Sequence, residues 1–240
     1  MTTSPFSLWV YLSQSPLLWL TMTLVVYAVT DAISQRTRRH PLANPVLHAM
    51  WIIAVFLLLT GTPYTAYFAG AQFVHFLLGP ATVALAVPLY QNRRLVTQAI
   101  LPMLAALVVG SVTAIISVVW LAEAFGLPRE VVLSLAPKSV TAGVAMGISE
   151  SLQADPSLTA VAVVLTGIMG AIIVTPLMDR TGIRDFRARG FAAGLAAHGI
   201  GTARAFQVDQ LAGTFSGIAM GLNALVTSFI VPLAVTLLVR

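Results

Sequence analysis

The chain has 240 residues, of which 58% are hydrophobic and 9% charged, with a formal net charge of +5 and no cysteine. A soluble domain carries about 25% charged residues to cover its surface, so a water-soluble globule is excluded and a lipid bilayer is the solvent that fits. The missing thiols remove disulfides, thiolate nucleophiles and Cys-ligated metal sites together.

The first apolar segment covers residues 15–33. The stretch before it lacks the basic region of a secretory leader and the run leads into further spans, so it is expected to be a signal-anchor. Arg36, Arg38 and Arg39 follow in a loop punctuated by Pro41 and Pro45. The second segment, 46–60, stops at Gly61 and Pro63. The third, 64–90, holds Gly79-Pro80 in its middle. Proline removes a helical hydrogen bond and clashes with the preceding turn, so a break is expected at Pro80. Arg93 and Arg94 form the second basic loop. The fourth segment, 96–124, is the longest and cleanest. The fifth, 131–152, is interrupted at Pro137-Lys138-Ser139. The sixth is 158–177. Arg180, Arg184, Arg187 and Arg189 form the third basic loop. The seventh, 191–206, contains His198-Gly199-Ile200-Gly201, where two glycines beside a histidine predict a break or a close backbone approach. The eighth covers 215–239.

Nine of the thirteen bases lie in these three loops. That is the positive-inside distribution of a membrane protein, not a nucleic-acid footprint. With all three loops on one side, an even number of crossings must separate Arg94 from Arg180, yet three apolar segments lie between them. The broken fifth segment is then expected to be re-entrant or a hairpin. The rival arrangement has eight full crossings and breaks the charge rule once. The expected fold is an all-α polytopic membrane helical bundle with broken or re-entrant helices.

Two echoes run through the chain. The pattern L-x-P-x-[S/T]-V-x-x-x-V occurs from Leu78 to Val87 and again from Leu135 to Val144, and points to an internal repeat. Paired proline-interrupted segments in two halves of a transporter point to its binding site. Gly143-Val144-Ala145-Met146-Gly147 matches Gly217-Ile218-Ala219-Met220-Gly221, and these glycines are expected to be helix-packing contacts.

Lys138 is the only lysine in the chain. An ammonium within a membrane segment costs about 2.5–3.5 kcal/mol on insertion scales. Either an anionic substrate compensates it, or it snorkels to an interface. If Pro137 opens a half-helix, the N–H groups and dipole at its N-terminus, with the hydroxyls of Ser139 and Thr141, make a carboxylate cradle. Thr82, after Pro80, offers an uncharged counterpart. Arg204, six residues after His198, could grip a carboxylate with its fork, or it ends a helix by reaching water or Asp209. Thr202 could bind the carboxylate or its hydroxyl. His198 either couples a proton or makes a satisfied interior hydrogen bond. His48 and His75 read as structural, and Asp31, Asp179, Glu123 and Glu130 as interfacial. No zinc spacing, phosphate-binding loop or nucleophile elbow occurs, so neither catalytic residues nor a metal or other cofactor is expected.

With these residues in view, the chain resembles the LrgB/CidB family over nearly its whole length. The resemblance is carried by residues 76–90, by Leu135-Ala136-Pro137-Lys138-Ser139-Val140-Thr141, by Pro156-Ser157-Leu158-Thr159-Ala160-Val161 and by His198-Gly199-Ile200-Gly201-Thr202-Ala203-Arg204. It implies a single LrgB-like transmembrane domain over residues 1–240, in the inner membrane of a bacterium. Bacterial members are holin- or antiholin-like modulators of murein hydrolases and autolysis, beside a small LrgA/CidA-like membrane partner. A plastid relative translocates glycolate and glycerate, and some bacterial pairs are linked to pyruvate uptake. Two functions are therefore expected: first a carrier of small monocarboxylates, and alternatively a holin-like assembly, each with homo-oligomerisation open. The family's fifth segment often reads Thr-Pro-Ile-Ala-Met-Glu; here Gly143 stands at the proline and Gly147 at the glutamate. A coupling role for that glutamate would be lost, or taken over by Glu150 one turn later.

Overall fold

The computed structural model describes residues 13, 15–84 and 86–238, apart from the side chains at 78, 82, 237 and 238. Most of the stretch that precedes the expected signal-anchor, and the side chain of Thr82, lie outside that description. All regular structure among the described residues is helical. The chain divides into two compact units, Met1–Ala86 and Val87–Arg240.

In the first unit, α1 (Pro16–Arg36) opens on a proline, which suits a position whose N–H has no intrahelical partner. A 3-10 turn leads to Asn44, whose Oδ1 accepts from the N–H groups of Val46 and Leu47 and starts α2 (Pro45–Thr60). Gly61, at φ 64°, ends α2 in the left-handed conformation. α3 (Tyr64–Phe76) crosses α1 at Gly70, where a methyl group would lie 2.2 Å from the carbonyl oxygen of Pro16. Fully buried Trp19 packs edge-on against Phe56 and Tyr67. α4 (Leu78–Ala84) follows after a break at Leu77. Pro80 therefore lies inside a helix, with the N–H of Ala81 still bonded to the carbonyl of Leu77. The expected break is displaced one turn upstream, where the proline ring crowds the preceding carbonyls.

The second unit opens with α5 (Ala86–Gln91) and α6 (Arg93–Gln98) and is built on three long helices: α7 (Ile100–Ala124), α10 (Pro156–Arg180) and α12 (Gln210–Leu238). Together with Pro16–Arg36 and the stretch Tyr64–Gln91 these make five helical stretches, among the described residues, long and apolar enough to cross a bilayer. The 16-residue helix Pro45–Thr60 is apolar but shorter than about 20 residues.

Between α7 and α10 lie two short helices, α8 (Arg129–Leu135) and α9 (Ala142–Ser151), joined by a non-helical stretch from 136 to 141. The Oγ1 of Thr159, at the start of α10, donates 2.8 Å bonds to the carbonyl of Ser134 and to the Oγ of Ser149. Ser134 and Ser149 therefore sit side by side, although fifteen helical residues would separate them by about 22 Å. The fifth apolar segment is a hairpin, as the charge distribution requires. Pro137 does not open a half-helix. It lies in the turn, and α9 begins at Ala142 with Thr141 as an N-cap that makes no side-chain cap bond.

α11 (Phe186–Val208) also doubles back. Ala197 (φ −130°, ψ 16°) and His198 (φ 41°, ψ −134°) leave helical geometry, and a methyl group on Gly201 would lie 2.5 Å from the carbonyl oxygen of Ala193. The break expected at Gly199 and Gly201 thus falls at Ala197–His198, and the positive φ falls on the histidine. Both glycines are helical. Gly201 is needed because the returning arm presses on the descending one.

α12 lies along the descending arm. Methyl groups on Gly190 and Gly194 would sit 2.0 Å from the carbonyl oxygens of Ala212 and Ser216. At the base of this second hairpin, Met103 and Leu107 of α7 cluster with Phe191, Phe215 and Ala219. At the opposite end Ile115, Val119 and Ala122 cluster with Val132, Ile148 and Val235, which seats the first hairpin. The two hairpins therefore enter from opposite ends of the unit. The start of α7 shares an end with the Arg180–Arg189 loop, since one cleft is lined by Gln98, Ala99, Asp185 and Arg187.

The two L-x-P echoes take different conformations, helix around Pro80 and turn around Pro137. Three of the four glycines in the other echo do not mark packing. Methyl groups on Gly143, Gly147 and Gly221 meet nothing within 4 Å.

Candidate functional site

The hairpin tips meet at Asn223, which is 1% exposed on α12. Its Nδ2 donates to the carbonyl of Ser139 at 3.2 Å and to the carbonyl of Leu195 at 3.0 Å. Its Oδ1 accepts from Ser111 Oγ at 2.7 Å and Thr227 Oγ1 at 3.1 Å. A carboxamide has two donors and two acceptor lone pairs, and all four are used. The need is local. Ser139 lies in a non-helical turn, and Leu195 is among the last carbonyls of the descending arm, which have no helical donor.

Beside this junction runs a cleft of about 620 Å³. It is lined by Gly110 and Ala114 of α7, by Lys138 and Ser139 of the first tip, by α10 from Leu165 to Met178, and by α11 from Ala192 to Ala197. Lys138 is half-buried and forms no ion pair among the described residues. An ammonium held among apolar side chains without a protein carboxylate is suited to receive an anion. Ser139 and Thr166 are the hydroxyl-bearing residues beside it.

The other expected site residues go elsewhere. His198 is 4% exposed and its Nε2 lies 2.9 Å from the carbonyl oxygen of Val163, the satisfied interior hydrogen bond that was one of its two readings. Its ring fills the space over Gly167, where a methyl group would be 2.6 Å from Cε1. Thr202 donates to the carbonyl of His198 and pairs with Ser216 at 2.9 Å, tying the returning arm to α12. Arg204 is 8% exposed and sits at the base of the second hairpin with Arg189 and Gly190, not in the Lys138 cleft. Doubling back places it about 9 Å down the returning arm from the tip, six residues at 1.5 Å each. Thr141 does not line the cleft, and Thr82 belongs to the first unit. Of the expected set, Lys138 and Ser139 share one cavity.

The base of the second hairpin carries the charge. Arg187 pairs with Asp185 at 2.6 Å and Arg189 with Asp179 at 2.5 Å. The hydrogen bond from the Arg187 side chain holds the Asp185 carboxyl below its usual range. Asp185 also accepts from the N–H of Arg187 as the N-cap of α11. Sequence reasoning missed Asn223, Ser111 and Thr166. A carboxamide in the middle of an apolar 29-residue helix was the signal for the first.

A family model described as "LrgB-like family" matches residues 23–237. The "Holin-like protein CidB" of Staphylococcus epidermidis is 31% identical over 220 residues, covering 92% of this chain and 96% of that protein. The protein of the same name from Staphylococcus aureus is 31% identical over 221 residues, with 92% and 96% covered. The "Uncharacterized protein YxaC" of Bacillus subtilis is 36% identical over 216 residues, covering 89% of this chain and 94% of the relative. No solved structure matches the chain. Between the two expected functions, the relatives' names match the holin-like one.

Proposed function

This chain belongs to the LrgB-like family of membrane proteins, and we propose that it controls the permeability of the bacterial inner membrane through a defined route for small monocarboxylates. The holin-like names of the relatives support membrane-permeability control in the first place, with regulation of murein hydrolases and autolysis as its consequence. They carry no word for transport. The monocarboxylate route rests on a separate observation: a half-buried lysine facing a 620 Å³ cleft where two oppositely directed hairpins meet. Interrupted helices that meet inside a bilayer expose backbone and charge to a cavity, which is how many transporters build their sites. A lesion formed by oligomerisation needs neither the hairpins nor the ammonium. The family's small LrgA/CidA-like membrane protein is the proposed partner, and self-association is compatible with either mode.

The test is reconstitution of the purified chain, alone and with that partner, in liposomes loaded with an entrapped dye. The expected result is saturable uptake of labelled pyruvate or glycolate, cut at least tenfold by Lys138→Gln, with the dye retained. Dye release without carboxylate selectivity, unchanged in the variant, would replace the route with a holin-like lesion.

A further inference from the structure

The walls of the Lys138 cleft say more about its ligand than the cation alone. Positive charge is confined to one point. Lys138 is the one charged residue lining the cavity, and Ser139 and Thr166 are the hydroxyl-bearing ones. Away from that end the cleft follows α10 to Met178, two residues short of Arg180, and its lining there is Met169, Ile173, Val174, Leu177 and Met178. Thirteen residues of helix correspond to about 20 Å of wall. The facing wall is small, with Gly110 and Ala114 of α7 and the alanines of α11, and leaves room for the occupant. A volume of 620 Å³ falls within the ~300–1,000 Å³ that drug-sized ligands fill. A two- or three-carbon acid would leave most of it empty.

A second carboxylate would have to lie against aliphatic side chains with no counter-charge, and extra hydroxyls would find no partners beyond the first few ångströms. Resting on the reading that this cleft receives an anion, we infer that its preferred ligand is a monocarboxylate with an extended apolar body of several carbons, carboxylate on Lys138 and tail along α10. The same walls disfavour dicarboxylates, and short hydroxy acids, held at the Lys138 end alone, bind more weakly than longer acids while still being accepted. The arginines of the 180–189 loop stand near the far end of the cleft and raise the local concentration of anions there.

The experiment is direct binding to the purified full chain in nanodiscs of neutral lipid, so that it does not depend on flux. The probes are butyrate, hexanoate and octanoate, the alcohols of the same lengths, glycolate and succinate. Empty nanodiscs of the same lipid correct for partition into the bilayer. Affinity is expected to rise about fourfold per methylene, the factor for burying one CH₂, and to fall at least tenfold in Lys138→Gln. The alcohols are expected to bind at least tenfold more weakly than the acids. Ile173→Trp, on an exposed rim position, is expected to weaken octanoate while sparing butyrate. A flat or falling dependence on length overturns the inference, as does tighter binding of glycolate or succinate than of hexanoate. Length-dependent, Lys138-dependent binding without any uptake in liposomes upholds this ligand class and removes the transport reading instead.

Discussion

Replacing Asn223 by alanine removes the side chain that joins both hairpin tips, and the cost can be bounded from the geometry. Ser111 and Thr227 lose an acceptor, but each hydroxyl can turn to a carbonyl one turn back in its own helix. Ser139 and Leu195 have no such recourse, because one lies in a turn and the other precedes a break. Two buried carbonyls left without donors give an upper figure of about 6 kcal/mol at ~1–3 kcal/mol each. Hydrogen bonds between membrane helices average about 0.6 kcal/mol, which sets the floor near ~1 kcal/mol. A loss of about 2–3 kcal/mol is expected between these limits, measured by reversible unfolding in bicelles. Stability alone does not distinguish a junction from an ordinary core contact, so the second readout is local. The chain has no cysteine, so single cysteines at Ser139 or Leu195 can be labelled with a soluble maleimide. Asn223→Ala is expected to speed labelling at both tips and to leave a cysteine at lipid-exposed Leu101 unchanged. Asn223→Leu, which keeps a similar volume and has no donor, should behave like alanine. Stability unchanged within error and tips no more accessible than before would refute the argument that this carboxamide holds the hairpins together.

Two further outcomes follow from the packing. Gly194→Ala puts a methyl group 2.0 Å from the carbonyl oxygen of Ser216, whereas Gly147→Ala meets open space; the first is expected to lower the yield of folded protein several-fold on size-exclusion chromatography and the second to leave it unchanged. The hairpin topology places Gln98 and Arg187 at one end of the second unit and the neighbouring helix positions Arg129 and Glu150 at the other, so single cysteines at the first two are expected to react from one side of the membrane and at the last two from the opposite side.

The uneven legibility of this fold has a physical origin. The first hairpin was readable because its turn contains Pro137, which weakens a helix, beside a lysine, and because the arginine distribution does not close if the segment crosses. The second was not. Its tip is turned by Ala197 and His198 with no proline, and hydropathy sees one unbroken apolar run on either side of it. The trace it leaves is small residues at 190, 194 and 201 that allow backbones to touch, a pattern that also serves ordinary helix crossings. The same blind spot misplaced Arg204. On a straight helix it would stand beyond the tip, but on a returning arm it descends to the charged base.

The site divides along the same line. Lys138 could be found from sequence because a lone charge in an apolar segment is costly wherever it ends up. The pairing of Ser139 with Leu195 through Asn223 could not, because all three partners act through groups that any residue, or any buried amide, provides. A charged residue carries its signal in its own chemistry, whereas a junction carries it in the meeting of elements 28 and 84 residues apart. Substitutions at Lys138 should therefore change what binds, and substitutions at Asn223 whether the place for binding exists. That separation makes the two positions a matched pair for dissecting permeability control in this family.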